Sequence, residues 1–155
     1  MLVILDQWSK QVVVNVMVLG EQIQVFTYFS WVRWHNEGAA FSFLSDAGGW
    51  QRWFFIILAI GFVSFLTLEL SRLGKKGSLL HFAYAAIIGG ALGNMVDRLM
   101  QGYVVDFILL HYDQYYFPAF NVADAALSVG AFCWGLLLVK EALNEKTSRS
   151  KEQSN

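Results

Sequence analysis

The strongest constraint on this chain is a set of long apolar runs that carry almost no charge. Leu79–Val96 contains no Asp, Glu, Lys or Arg, and Trp53–Leu73 holds only Glu69 and Arg72, both near its end. Ala119–Val139 contains one acid, Asp124. A helix rises 1.5 Å per residue and the hydrocarbon core of a bilayer is about 30 Å thick, so roughly 20 apolar residues cross it. These runs predict membrane-spanning helices at about 53–73, 79–99 and 119–140. A fourth run, Met1–Leu19, is interrupted by Asp6 and Lys10 and is read as a first helix at about 1–17. To Val16 that helix measures only about 24 Å, so a leading apolar segment or another start site is expected. It lacks the basic leading region and small-residue cleavage site of a secretory signal.

Basic residues orient the bundle. Arg72, Lys75 and Lys76 fall between the second and third runs, and Lys140, Lys146, Arg149 and Lys151 follow the fourth. Positive charge marks the cytoplasmic side, which puts both termini inside and residues 20–52 and 97–118 outside. The outer segment "EQIQVFTYFSWVRWHNEGAAF" is rich in β-branched and aromatic residues with partial alternation, a strand signal that ends at Gly38. The expected architecture is an all-α membrane bundle of four transmembrane helices, with a small extracytoplasmic β-sheet (about 18–45) between helices 1 and 2. Its aromatics Tyr28, Phe29, Trp31 and Trp34 suit headgroup depth; an ordinary interfacial cap is an equal reading of that segment. One membrane domain covers 1–140, and 141–155 is a polar cytoplasmic tail whose end, "NEKTSRSKEQSN" (144–155), is expected to be disordered.

Composition removes several classes of function. The net charge of −1 gives no basis for a nucleic-acid partner. The lone Cys133 can form neither an intrachain disulfide nor a paired zinc site, and reads as packing. His35, His81 and His111 are scattered, so no metal site or cofactor is expected, and no Ser sits in a nucleophile elbow. Lys10 is a conceivable general base, but Asp6 at i−4 reads more simply as its ion-pair partner.

Ionisable groups inside membrane segments are functional candidates by default. Asp106 lies in "GYVVDFILL" and Asp124 in "FPAFNVADAA". On one continuous helix they would be about 27 Å apart. Gly102 and Pro118 interrupt that path, so the chain can leave the third helix, loop outside and return at about Ala119. Asp106 then lies just past the third helix and Asp124 on the second turn of the fourth, with Asn121 on the same face. Two carboxylates at one point of low dielectric cannot both ionise easily, and the pair becomes acid plus base. That chemistry hydrolyses an amide without a metal or a covalent intermediate. The third helix ends in "GGALGNMVDR", where Gly89 and Gly93 form a small-residue seam. Asn94, Asp97 and Arg98 follow, either as a polar shell behind the dyad or as a snorkelling helix end.

Five separated motifs resemble those of the signal peptidase II family, the lipoprotein signal peptidases of bacterial membranes. They are "DQWSK" (Asp6–Lys10), "HNEGAAFSFL" (His35–Leu44), "GGALGNMVDR", "VVDFI" and "FNVADAA", in the family's order. The resemblance implies an aspartic endopeptidase with Asp106 and Asp124 as catalytic dyad. It implies that Asn36 contacts substrate near the scissile bond, with Gly38 in the turn that lets backbone approach. Asn94, Arg98 and Asn121 would orient dyad and substrate together with Asp97, and Asp6 and Lys10 would fix the first helix. The implied substrates are diacylglyceryl-modified prolipoproteins, cut on the N-terminal side of the lipidated Cys. The implied setting is the bacterial inner (cytoplasmic) membrane, with membrane lipids and globomycin-type inhibitors as further partners and the site near the outer face. The rival readings are a small membrane transporter or channel with an intramembrane Asp pair, and an assembly factor whose polar helix ends hold partners.

Overall fold

The computed structural model describes residues 1–38, 48–74 and 78–152. Its elements are α1 (Leu2–Val16), β1 (Gln22–Phe26), β2 (Phe29–Asn36), α2 (Gln51–Arg72), α3 (Leu79–Met100), β3 (Val104–Tyr112), β4 (Tyr115–Tyr116) and α4 (Val122–Glu152). Among them α2, α3 and α4 are long and apolar enough to cross a membrane. The fourth helix, α1, has 15 residues and falls short of that length. Side chains such as Ile57, Leu68, Phe132 and Leu136 point outward and exposed. That is expected of helices whose solvent is lipid.

Glycines let the helices approach closely. A Cβ on Gly90 would stand 2.4 Å from the carbonyl oxygen of Ala123, and one on Gly130 would stand 2.8 Å from that of Ala83, so α3 and α4 touch backbone to backbone. Gly89 and Gly93, the seam read from the sequence, receive α1, against Leu2 and Asp6, and Gly93 also meets Ala123 of α4. Leu66, Tyr84 and Ile87 form the inner core, packed with Leu127 and Trp134. A second cluster of Val13, Met17 and Phe107 joins α1 to the sheet.

The sheet is four-stranded and antiparallel, in the order β1-β2-β3-β4. It therefore is not confined to residues between the first two helices. The stretch read as an outer loop, 97–118, contributes β3 and β4, and Asp106 lies on a central strand rather than in a loop just past the third helix. The physical reason is that "VVDFILLHY" is rich in β-branched and aromatic residues, and β2 offers it a partner edge.

Two further expectations change. The fourth helix begins at Val122, not Ala119, because Phe120 pairs with Ile108 across a β-bridge; Asp124 is consequently in the first turn rather than the second. The tail beyond residue 140 is helical through Glu152, since residues such as Lys140, Glu141, Ala142 and Leu143 are good helix formers on a helix already begun. Residues 39–45 of the expected outer β segment, and Lys75 and Lys76, lie outside the described residues.

Candidate active site

Asn121 organises the centre of the site. It immediately precedes α4, and its side-chain Oδ1 accepts the backbone N–H of Asp124 at 2.9 Å. The Asp124 carboxylate returns the contact, accepting the backbone N–H of Asn121 at 3.2 Å. This is a reciprocal capping box, which fixes the Asp124 side chain over the start of the helix. The remaining end of Asn121, Nδ2, donates to Asp106 Oδ1 at 2.7 Å. One asparagine therefore touches both carboxylates.

Each carboxylate has a second amide donor. Asn94 Nδ2 reaches Asp124 Oδ1 at 2.7 Å, and Asn36 Nδ2 reaches Asp106 Oδ2 at 2.9 Å. Asp106 is 3% exposed. Burial, then the neighbouring Asp124 charge, push its pKa up to about 7, against the opposing pull of the Asn36 and Asn121 hydrogen bonds and of Lys10.

Behind Asn94 lies a buried ion cluster. Lys10 Nζ stands 2.8 Å from Asp6, its i−4 partner on α1, and 2.9 Å from Asp97 of α3. The same ammonium donates to Asn94 Oδ1 at 3.0 Å. Asp6 Oδ1 accepts the backbone N–H of Ala123 at 2.8 Å, and Asp97 accepts that of Val105 at 3.3 Å. The cluster thereby grips α1, α3, α4 and β3 at once. Asp97 and Arg98, adjacent in sequence, diverge. Asp97 turns to this cluster, whereas Arg98 Nη2 donates to the carbonyl of Gly38 at 2.6 Å and its guanidinium lies 4.8 Å over the Phe55 ring. Gly38 in turn donates its N–H to Asn36 Oδ1 at 3.0 Å.

All ten residues singled out from the sequence thus fall into two connected groups. Asp106, Asp124, Asn36, Asn94, Asn121, Arg98 and Gly38 surround the carboxylate pair. Asp6, Lys10 and Asp97 stand one layer back. Sequence reasoning passed over Gln7, whose Nε2 donates to Asp97 Oδ1 at 2.8 Å and to the Gly93 carbonyl at 3.2 Å. Its i, i+3 spacing to Lys10 was the available signal. The contribution of Phe55 from α2 carried none.

A cavity of about 820 Å³ opens on this site. Asn36, Asn94, Arg98 and Asp124 form its polar end. Phe55, Leu58 and Phe62 of α2, Met95 of α3 and Leu127 and Val129 of α4 make the rest of its wall apolar. Among the described residues no three His, Cys, Asp or Glu side chains are grouped to hold a metal ion. A largely apolar chamber with Asp124 at its polar end, and the buried Asp106 joined to it through Asn121, suits acid–base chemistry on a largely apolar substrate.

The family model and the similar curated proteins point to one family. A family model described as signal peptidase (SPase) II matches residues 1–140. Proteins named lipoprotein signal peptidase are similar along the chain. That of Shewanella woodyi is 51% identical over 128 residues, covering 83% of this chain and 73% of the relative. That of Shewanella oneidensis is 47% identical over 148 residues, covering 94% and 87%. A solved bacterial membrane enzyme superposes with a TM-score of 0.83 at 31% identity, covering 92% of this chain and 85% of that one. With the family model spanning the bundle, the sheet and every residue of the carboxylate site, this chain belongs to the signal peptidase II family.

Proposed function

We propose that this protein is an aspartic endopeptidase that removes the signal peptide from diacylglyceryl-modified prolipoproteins. Cleavage falls on the N-terminal side of the lipidated Cys. The observation that carries this reading is the meeting of Asp106 and Asp124 at Asn121, beside an apolar cavity of about 820 Å³.

The pair acts as one unit with a shared proton. One carboxylate takes a proton from a water molecule, whose oxygen then bonds to the scissile carbonyl carbon. The protonated partner hydrogen-bonds the carbonyl oxygen as charge develops there. Collapse of the tetrahedral intermediate breaks the C–N bond, and the proton passes to the leaving nitrogen. Asn36, Asn94 and Asn121 hold the two carboxylates in reach of one another. Arg98, Asn36 and Gly38 line the approach of the substrate backbone, and the apolar wall suits acyl chains and an apolar signal helix.

The protein works as a multi-pass enzyme of the bacterial inner membrane. We place both termini in the cytoplasm, on the side of Arg72, Lys140 and Lys146, and the sheet and the carboxylates at the outer face. On this reading α1 completes a four-span bundle, residues 1–140 are the peptidase domain, and globomycin-type inhibitors compete for the cavity. The test is turnover of a diacylated lipobox peptide by purified enzyme. Wild type cleaves it and globomycin blocks cleavage, whereas Asp106→Asn and Asp124→Asn insert normally and are inactive. Cleavage by either variant at the wild-type rate overturns the dyad.

A further inference from the structure

Opposed residues of an antiparallel pair present their side chains to the same face, and successive residues alternate. Trp31 of β2 opposes Ile108 of β3, and Trp34 opposes Asp106. That is three steps along β2 for two along β3, so one extra residue is accommodated at Val32–Arg33 as a β-bulge. Beyond it His35 opposes Val105 and Asn36 opposes Val104. Asn36 consequently shares a face with Asp106 and bonds it at 2.9 Å. Unbroken alternation from Trp31 would oppose Arg33 to Asp106 and His35 to Val104. Asn36 would then lie on the other face.

The bulge is held from one residue. Arg33 Nη1 donates to the carbonyl of Met17 at 2.7 Å and to that of Val14 at 3.1 Å, both at the C-terminal end of α1. Its backbone N–H donates to Glu21 O at 3.1 Å, and its carbonyl accepts the N–H of Gly20 at 2.9 Å. A cation at the exposed carbonyls of a helix end is favourably placed. A side chain turned onto the Asp106 face loses that anchorage. We infer that Arg33, docked on the end of α1, selects the bulged register of β2 and so decides that Asn36 rather than His35 meets Asp106. Arg33 is a positioning residue for the site. Its bearing on catalysis rests on the dyad proposed above; its control of register does not.

The experiment compares Arg33→Met and Arg33→Lys with the parent, each in a Cys133→Ser background. The cysteine pair His35→Cys/Val105→Cys reports the bulged register by disulfide formation, since directly opposed Cβ atoms lie about 4.5–5.5 Å apart. The pair His35→Cys/Val104→Cys reports the slipped one. With Arg33→Met, bulged-register oxidation is expected to slow about fivefold or more and slipped-register oxidation to appear; Arg33→Lys restores most of the parent behaviour. On the otherwise native sequence, Arg33→Met is expected to lower kcat about tenfold or more with KM changed less than about threefold. Its pH–rate limb moves upward, because the Asn36 hydrogen bond holds the Asp106 carboxyl down while Asp124, Lys10 and Arg98 still face it. If Arg33→Met does not accumulate, Arg33→Gln, too short to reach Met17, supplies the same readouts. Bulged-register oxidation at the parent rate in the Met or Gln variant overturns the inference, whatever the activity. Turnover by Asp106→Asn would remove the dyad and leave the cross-linking result standing.

Discussion

The ammonium of Lys10 lies 3.0 Å from Oδ1 of Asn94, and this contact decides which end of the Asn94 amide is left for Asp124. A lysine donates only, so the amide oxygen must face it and the NH₂ must face the carboxylate. A residue of the first helix thereby orients a donor to a carboxylate of the fourth.

Removing that ammonium is expected to be costly. Lys10→Met leaves Asp6 and Asp97 buried without their cation. Breaking a buried pair from one side costs roughly 3–5 kcal/mol. Thermal denaturation in detergent is expected to show a clear fall in Tm, and the added Asp6→Asn change to recover part of it. A Tm within about 1 °C of wild type for Lys10→Met would contradict the role of the cluster.

The proposed dyad predicts a kinetic signature. Asp106→Asn and Asp124→Asn are each expected to lower kcat on a diacylated peptide by at least about 10³-fold, in the range of general acid–base catalysis. The double variant is expected to be no worse than either single one if the two carboxylates work as the proposed unit. Independent, multiplying effects in steady-state assays would refute a shared proton.

Asp106 also predicts a pH dependence of stability. It titrates at about 7 in the fold, against about 3.9 for an unfolded Asp. The fold binds this proton the more tightly, so its contribution to stability is complete below about pH 4 and is lost as pH rises through about 7. At full development the difference is on the order of 4 kcal/mol. Wild-type Tm is expected to fall between about pH 5 and pH 8, and Asp106→Asn to give a flatter curve that lies above wild type at the alkaline end. Parallel curves would remove Asp106 as the source.

Two glycines offer a contrast within one fold. An Ala at Gly90 would press on the backbone of Ala123 and on Leu127, next to Asp124. Overpacking of this kind costs about 1–3 kcal/mol, and the displaced α4 is expected to lower kcat as well. Gly61, on α2, meets nothing within 4 Å, and Gly61→Ala is expected to be neutral or stabilising by about 0.5–1 kcal/mol. Melting curves and turnover of the two variants check both statements; equal losses would deny the close contact of α3 and α4.

Much of the architecture was legible because lipid is a demanding solvent. The long, nearly uncharged apolar runs placed α2 and α3 within two residues of their ends. The β3 strand was missed because a short apolar stretch such as "VVDFILL" has no decisive period, and the strand it pairs with lies some 75 residues earlier in the chain. The helical tail was missed because polar composition reads as disorder, while a helix already nucleated in the membrane extends without a second nucleus. In the site, Asn121 could be placed on the face of Asp124 by spacing alone. That it also caps the helix and reaches Asp106 depends on where β3 docks, which no local pattern encodes.

The two carboxylates are mounted on structures of different kinds. Asp106 rides on a strand of the sheet, and Asp124 on a helix of membrane-spanning length. Their separation therefore reports how the sheet sits on the helical bundle. A small tilt between those layers separates the pair before any helix unwinds, so warming should silence the enzyme at a temperature where its far-ultraviolet dichroism is still intact.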